Sequence, residues 1–181
     1  MSSGTGRTAR LFFAAWPPPE VRAALAARAR ERAAGRARAV PPGNLHLTLA
    51  YLGSLPEERL EAVHATGDAV RAAPATVVLE RVEHWVRPRL LCAVPAAGPD
   101  PLELLAESLR EALADRRLPV ESRPFRSHVT LVRKVGLPRS AERLDPPLSW
   151  RVARIALVAS ESTREGVRYR EIADWPLREA P

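Results

Sequence analysis

The chain has 181 residues, 46% hydrophobic and 27% charged, with a formal net charge of +7; that is enough chain for one well-buried domain, and its composition is not that of a disordered segment. One cysteine, Cys92, excludes an internal disulfide framework and a multi-cysteine zinc site, and no apolar run approaches the ~18 residues a membrane helix needs. The polar opening of residues 1–10 and the short apolar run of residues 11–16 do not read as a signal peptide, so the expectation is a cytoplasmic protein with no membrane contact.

Residues 1–9 are expected to form a flexible tail, and residues 10–181 a single domain. Residues 10–16 (RLFFAAW) read as a buried strand stopped by three prolines. Pro19 and Glu20 suit a helix start, with Val21, Leu25 and Ala29 on one face over residues 20–34. Residues 44–52 (NLHLTLAYL) alternate as a strand. Residues 56–73 place Leu60, Val63, Gly67 and Val70 at helical spacing. Residues 75–84 and 86–95 read as a hairpin, and residues 99–117 as a helix with Leu102, Leu105, Leu109 and Leu113 inward. A strand follows at 127–135, a short helical piece at 138–143, and two last strands near 148–160 and 166–175, with a turn at Glu165 and Gly166.

The chain also resembles itself. Residues 10–15 (RLFFAA) match residues 89–94 (RLLCAV) at an offset of 79, and His46-Leu47-Thr48-Leu49 matches His128-Val129-Thr130-Leu131 at an offset of 82. Two matches in one order at nearly one offset indicate a duplicated β-α-β-α-β-β unit. The expected fold is therefore α+β and bilobal: two antiparallel sheets facing a central cleft, with helices outside. No Gly- or Ser-rich linker separates the halves, so they should pack together.

In a strand, residues i and i+2 share a face. His46 therefore stands beside Thr48, and His128 beside Thr130, while the leucines and valine between them enter the core. Duplication puts one imidazole and one hydroxyl on each side of an interface, so that four hydrogen-bonding groups converge. One histidine can take a proton from a nucleophile while the other gives a proton to a leaving oxygen. Thr hydroxyls and an Arg suit the non-bridging oxygens of a phosphate. A lone His-x-Thr is more often a surface pair; two copies inside a repeat, in a chain with four histidines, are a signature.

With these motifs, the opening RLFFAAWPPPEVR and the ending VRYREIADWPL, the sequence resembles the two-histidine phosphoesterases, specifically the bacterial and archaeal RNA 2′,3′-cyclic phosphodiesterases, also described as 2′-5′ RNA ligases. The resemblance covers about residues 10 to 177. It implies His46 as proton donor, His128 as proton acceptor, and Thr48 and Thr130 as phosphate-binding residues. It also implies opening of a terminal cyclic phosphate to a 2′-phosphomonoester, with 2′-5′ ligation as the reverse type of reaction and no cofactor. The residues by themselves give two histidines acting on phosphorus and leave open which is acid. Phe12 matches a family position expected to stack on the terminal base, with Phe13 competing. Arg133 matches the family's phosphate-binding Arg, yet strict alternation would put Lys134 on the His128 face instead. Ser127 stands where relatives often have Pro.

His64 reads as a structural histidine, His84 as a rim residue, and Cys92 as a small core residue. No metal-ligand pattern or Gly-rich phosphate loop occurs, so neither metal nor ATP is expected. Of 28 basic residues, 27 are Arg; with abundant Ala and Pro this is what a GC-rich coding sequence produces. The distribution is more informative. Residues 1–40 hold eight Arg against two Glu, and residues 115–140 hold seven basic residues against two acidic ones, as on a surface that meets phosphates. The competing readings are a phosphodiesterase of small cyclic phosphates or 2′-5′ oligonucleotides, and a non-catalytic module that binds RNA ends. A monomer without protein partners suffices for each.

Overall fold

A computed structural model describes residues 7–136, 138–164 and 166–178. In chain order the elements are β1 (Thr8–Ala15), α1 (Pro19–Arg32), β2 (Arg38–Ala39), β3 (Leu47–Pro56), α2 (Leu60–Ala69), β4 (Ala75–Trp85), β5 (Leu90–Val94), α3 (Glu103–Asp115), β6 (Val129–Arg133), β7 (Glu142–Val152), β8 (Arg154–Thr163) and β9 (Gly166–Pro176). The main strands run in the order β7-β4-β5-β6-β3-β1-β8-β9, with β2 on β6. Every pairing is antiparallel.

Two four-stranded halves meet at a seam where β3 and β6 share one residue pair, Leu47 with Val129. The halves correspond strand for strand: β3-β1-β8-β9 repeats as β6-β5-β4-β7. The repeat is therefore real, but the chain exchanges parts between its copies. β4, encoded in the first half of the sequence, completes the second sheet half, and β8 and β9 return to complete the first. The helices cross as well: α1 packs on β6 and β7, and α3 packs on β3. Leu25 and Ala29 of α1 and Leu105, Leu109 and Leu113 of α3 are buried in one core cluster spanning both halves. Burial of such leucine side chains stabilises by about 1.5–3 kcal/mol each.

The structure differs from the sequence reading at several elements, among them the second helix, which runs only from Leu60 to Ala69 because β3 continues through Pro56. β1 begins at Thr8, inside the segment read as a tail, while residues 1–6 lie outside the described residues. Residues 138–141 form no helix and β7 starts at Glu142. Pro138, Arg139, Ser140 and Ala141 are all exposed, so this stretch has no apolar face to pack, and a single turn does not stand without one. The strand read as 148–160 is two strands, β7 and β8, divided at Ala153. Glu165 of the expected turn is outside the described residues. Among the described residues no helix is long and apolar enough to cross a membrane.

Candidate active site

The seam positions both His-x-Thr motifs. Carrying the antiparallel register one residue either side of Leu47–Val129 sets His46 across from Thr130 and Thr48 across from His128. Leu47 and Val129 are fully buried, and alternation turns their four polar neighbours to the other side, where all four are half-buried.

Each histidine is held by the same local device. His46 Nδ1 lies 2.7 Å from the Asn44 carbonyl oxygen, and His128 Nδ1 lies 2.8 Å from the Arg126 carbonyl oxygen. A carbonyl only accepts, so Nδ1 carries the proton and Nε2 is the atom left for proton transfer. His46 Nε2 lies 2.9 Å from Thr48 Oγ1. Asn44 is itself fixed by β9: its Nδ2 donates to the Val167 carbonyl (2.7 Å) and its Oδ1 accepts from the Tyr169 N–H (3.2 Å).

Aromatic side chains wall both rings. Phe12, Tyr169 and Trp16 lie 4.9, 5.1 and 5.7 Å from the His46 ring. Phe12, Ala14, Ala156 and Val158 form a small apolar cluster of their own beneath it. Trp85 lies 4.5 Å from the His128 ring, and the Arg126 guanidinium lies over the Trp85 ring, 5.4 Å from its centroid. Glu83 ties this wall together, accepting from Arg126 at 2.6 Å, Arg81 at 2.7 Å and the Trp85 indole at 3.4 Å. Asn44, Tyr169 and Glu83 escape a sequence reading because each has a deciding partner far along the chain: Val167, Asn44 and Arg126.

Burial pushes His46 down to about 4; the Asn44 carbonyl opposes this, and the charges of Arg133 and His128 add to it. Burial also lowers His128; the Arg126 carbonyl opposes, and the charges of Arg126, Arg133 and Arg123 add. Both imidazoles are thus neutral near pH 7 in the free protein, and one arginine, Arg133, acts on both. Cys92 faces Thr130 across β5 and β6, and burial pushes its thiol up to about 12, so it is a packing residue and not a nucleophile. Among the described residues no group of three or more His, Cys, Asp or Glu is arranged to hold a metal ion.

The family model of the 2′-5′ RNA ligase superfamily matches residues 17–164. The chain belongs to this superfamily. It is 33% identical to the RNA 2′,3′-cyclic phosphodiesterase of Escherichia coli over 93% of this chain and 96% of that relative. It is 36% identical to the protein of the same description from Thermus thermophilus, over 93% of this chain and 90% of that one. The crystal structure of E. coli LigT in apo form superposes with a TM-score of 0.84 at 29% identity, covering 95% of this chain and 99% of LigT.

Three further superfamily positions can now be located. Along β6, Thr130 pairs with Cys92 but Val132 pairs with Leu91, so Leu131 is an extra residue, a bulge. The bulge reverses the alternation and returns Arg133 to the side of His128, which agrees with its charge acting on both rings. Lys134, with φ of 60°, turns away into a neighbouring basic cavity. Phe12, not Phe13, is on the site side; it is 3% exposed, enclosed by His46 and Tyr169, while Phe13 sits in the main core. Ser127 is fully buried, and its N–H and hydroxyl both donate to Asp100, each at 2.6 Å. A side-chain clamp thus fixes the backbone just ahead of His128.

Proposed function

We propose that this protein hydrolyses RNA 2′,3′-cyclic phosphate ends to 2′-phosphomonoesters without a metal, using His128 as proton acceptor and His46 as proton donor. The observation that carries this reading is the pair of imidazoles at the seam, each with Nδ1 tied to a carbonyl two residues upstream, which leaves Nε2 as the proton-transfer atom. Water attacks phosphorus in line with the P–O3′ bond, and His128 Nε2 takes its proton. That bond breaks as His46 Nε2 gives a proton to O3′, leaving a 3′-hydroxyl and a 2′-phosphate. Thr48 and Thr130 donate to the non-bridging oxygens, and Arg133 offsets their charge. A bound phosphate anion favours the charged form of His46, recruiting the acid that burial otherwise keeps neutral. A ribose 5′-hydroxyl in place of water joins ends 2′ to 5′ by the same step, with no nucleotide cofactor. The whole sheet with its helices acts as one catalytic domain, and we place the enzyme in the cytoplasm as a monomer, because one chain supplies both histidines.

The test is turnover of an RNA oligomer ending in a 2′,3′-cyclic phosphate, in EDTA, by wild type, His46→Ala and His128→Ala. The expected product is the 2′-phosphate alone, with each substitution lowering kcat by about 10²–10⁴-fold. No turnover by the wild type, or a 3′-phosphate product, overturns the reading.

A further inference from the structure

Beside the catalytic seam lies a cavity of about 510 Å³ lined by Arg36, Arg38, Arg89 and Lys134. All four side chains are exposed, and none makes an ion pair with a described carboxylate. This contrasts with nearby arginines: Arg28 and Arg32 pair with Glu31, Arg32 with Glu142, and Arg126 with Glu83. Four unpaired cations around one cavity repel each other, and an anion relieves that repulsion.

The cavity adjoins the strand that carries Arg133. Arg38 on β2 and Leu90 on β5 are the two register partners of Arg133, and directly opposed residues share a face. The Arg133 charge acts on both histidines. A row of cations therefore leads from the histidines through Arg133 to Arg38, Arg89, Lys134 and Arg36. Its wall is built: Arg89 Nε donates to the Val135 carbonyl (3.0 Å), and the Val135 N–H donates to the Arg89 carbonyl (3.1 Å). Arg38 is braced on the carbonyls of Gly35 and Ala37, both at 3.2 Å. Arg89 and Lys134 adopt positive φ of 70° and 60°, a conformation uncommon for such residues that persists where the surrounding structure enforces it. The fold also joins the two basic stretches of the sequence here, Arg36 and Arg38 from one and Lys134 from the other.

We propose that this cavity is a second phosphate subsite, holding the backbone of the RNA strand next to the nucleotide whose cyclic phosphate is opened. The proposal rests on the reading of the seam as an RNA-end hydrolase, and it adds that the enzyme prefers a polymer to a mononucleotide. Arginine forks suit phosphodiester oxygens, and several phosphate contacts make binding steeply salt-dependent.

The experiment compares wild type with Arg36→Gln/Arg38→Gln. Hydrolysis is followed on a cyclic-phosphate RNA oligomer and on a mononucleoside 2′,3′-cyclic phosphate, and binding of a labelled single-stranded RNA is titrated at several salt concentrations. In the variant, KM for the oligomer should rise several-fold while mononucleotide kinetics stay unchanged. The slope of log affinity against log salt should shrink by about 1.4, the loss of two phosphate contacts. Unchanged RNA affinity and salt slope overturn the subsite even where wild type hydrolyses both substrates. Failure of wild type to hydrolyse either, with RNA affinity still dependent on Arg36 and Arg38, overturns the hydrolase reading and leaves the subsite standing. Arg89→Gln provides a second variant, and its oligomer KM is expected to move in the same direction.

Discussion

A carbonyl two residues upstream holds Nδ1 of each seam histidine, so the protonation of each ring is decided at Nε2. Burial and the Arg133 cation both favour the neutral rings, bringing His46 to about 4 and His128 below its ordinary value. In the proposed mechanism the productive form has His46 charged and His128 neutral. Its population in the free enzyme peaks between the two depressed values, so kcat/KM should have its optimum below pH 6.5. Arg133→Gln removes a cation that lowers both rings. Its optimum should move to higher pH while its maximal kcat/KM falls; a lower maximum with no movement of the optimum would mean that Arg133 does not act on the rings.

At the scale of elements, α2 meets the first sheet half through a close approach to β9. Gly67 of α2 lies under Trp175 of β9, and a Cβ there would stand 2.4 Å from the indole, whose Nε1 donates to Asp68 at 2.7 Å. The ring is held and cannot give way freely. Gly67→Ala should therefore destabilise by about 1–3 kcal/mol through overpacking, lowering Tm by about 2–10 °C; an unchanged melt would show that α2 shifts without cost. The sequence reading found what depends on local pattern: the His-x-Thr alternation, the leucine face of α3 and the β4–β5 hairpin. It reached Phe12 and Arg133 through resemblance, but not the reason each faces the site. Arg133 depends on a bulge at Leu131 that pairing with β5 creates, and no alternation rule contains it. Asp100, Asn44 and Glu83 act on the site from 27, 123 and 43 residues away from their partners Ser127, Val167 and Arg126, separations at which periodicity is silent.

At the scale of the whole molecule, duplication and exchange place two histidines at one seam. Each half lends the other a helix, and β4, β8 and β9 lock the copies together, so the histidines sit diagonally across the seam of one sheet held by one core rather than across a hinge. The central claim is that the two copies of one motif have taken opposite roles. The most direct measurement is the pH dependence of kcat/KM on a cyclic-phosphate RNA oligomer for wild type, His46→Ala and His128→Ala. The wild type should give a bell. The residual rate of His46→Ala should keep the rising limb and lose the falling one, because the acid is gone; that of His128→Ala should keep only the falling limb. Loss of the same limb in both variants, or a wild-type profile with one limb, would contradict the division of roles.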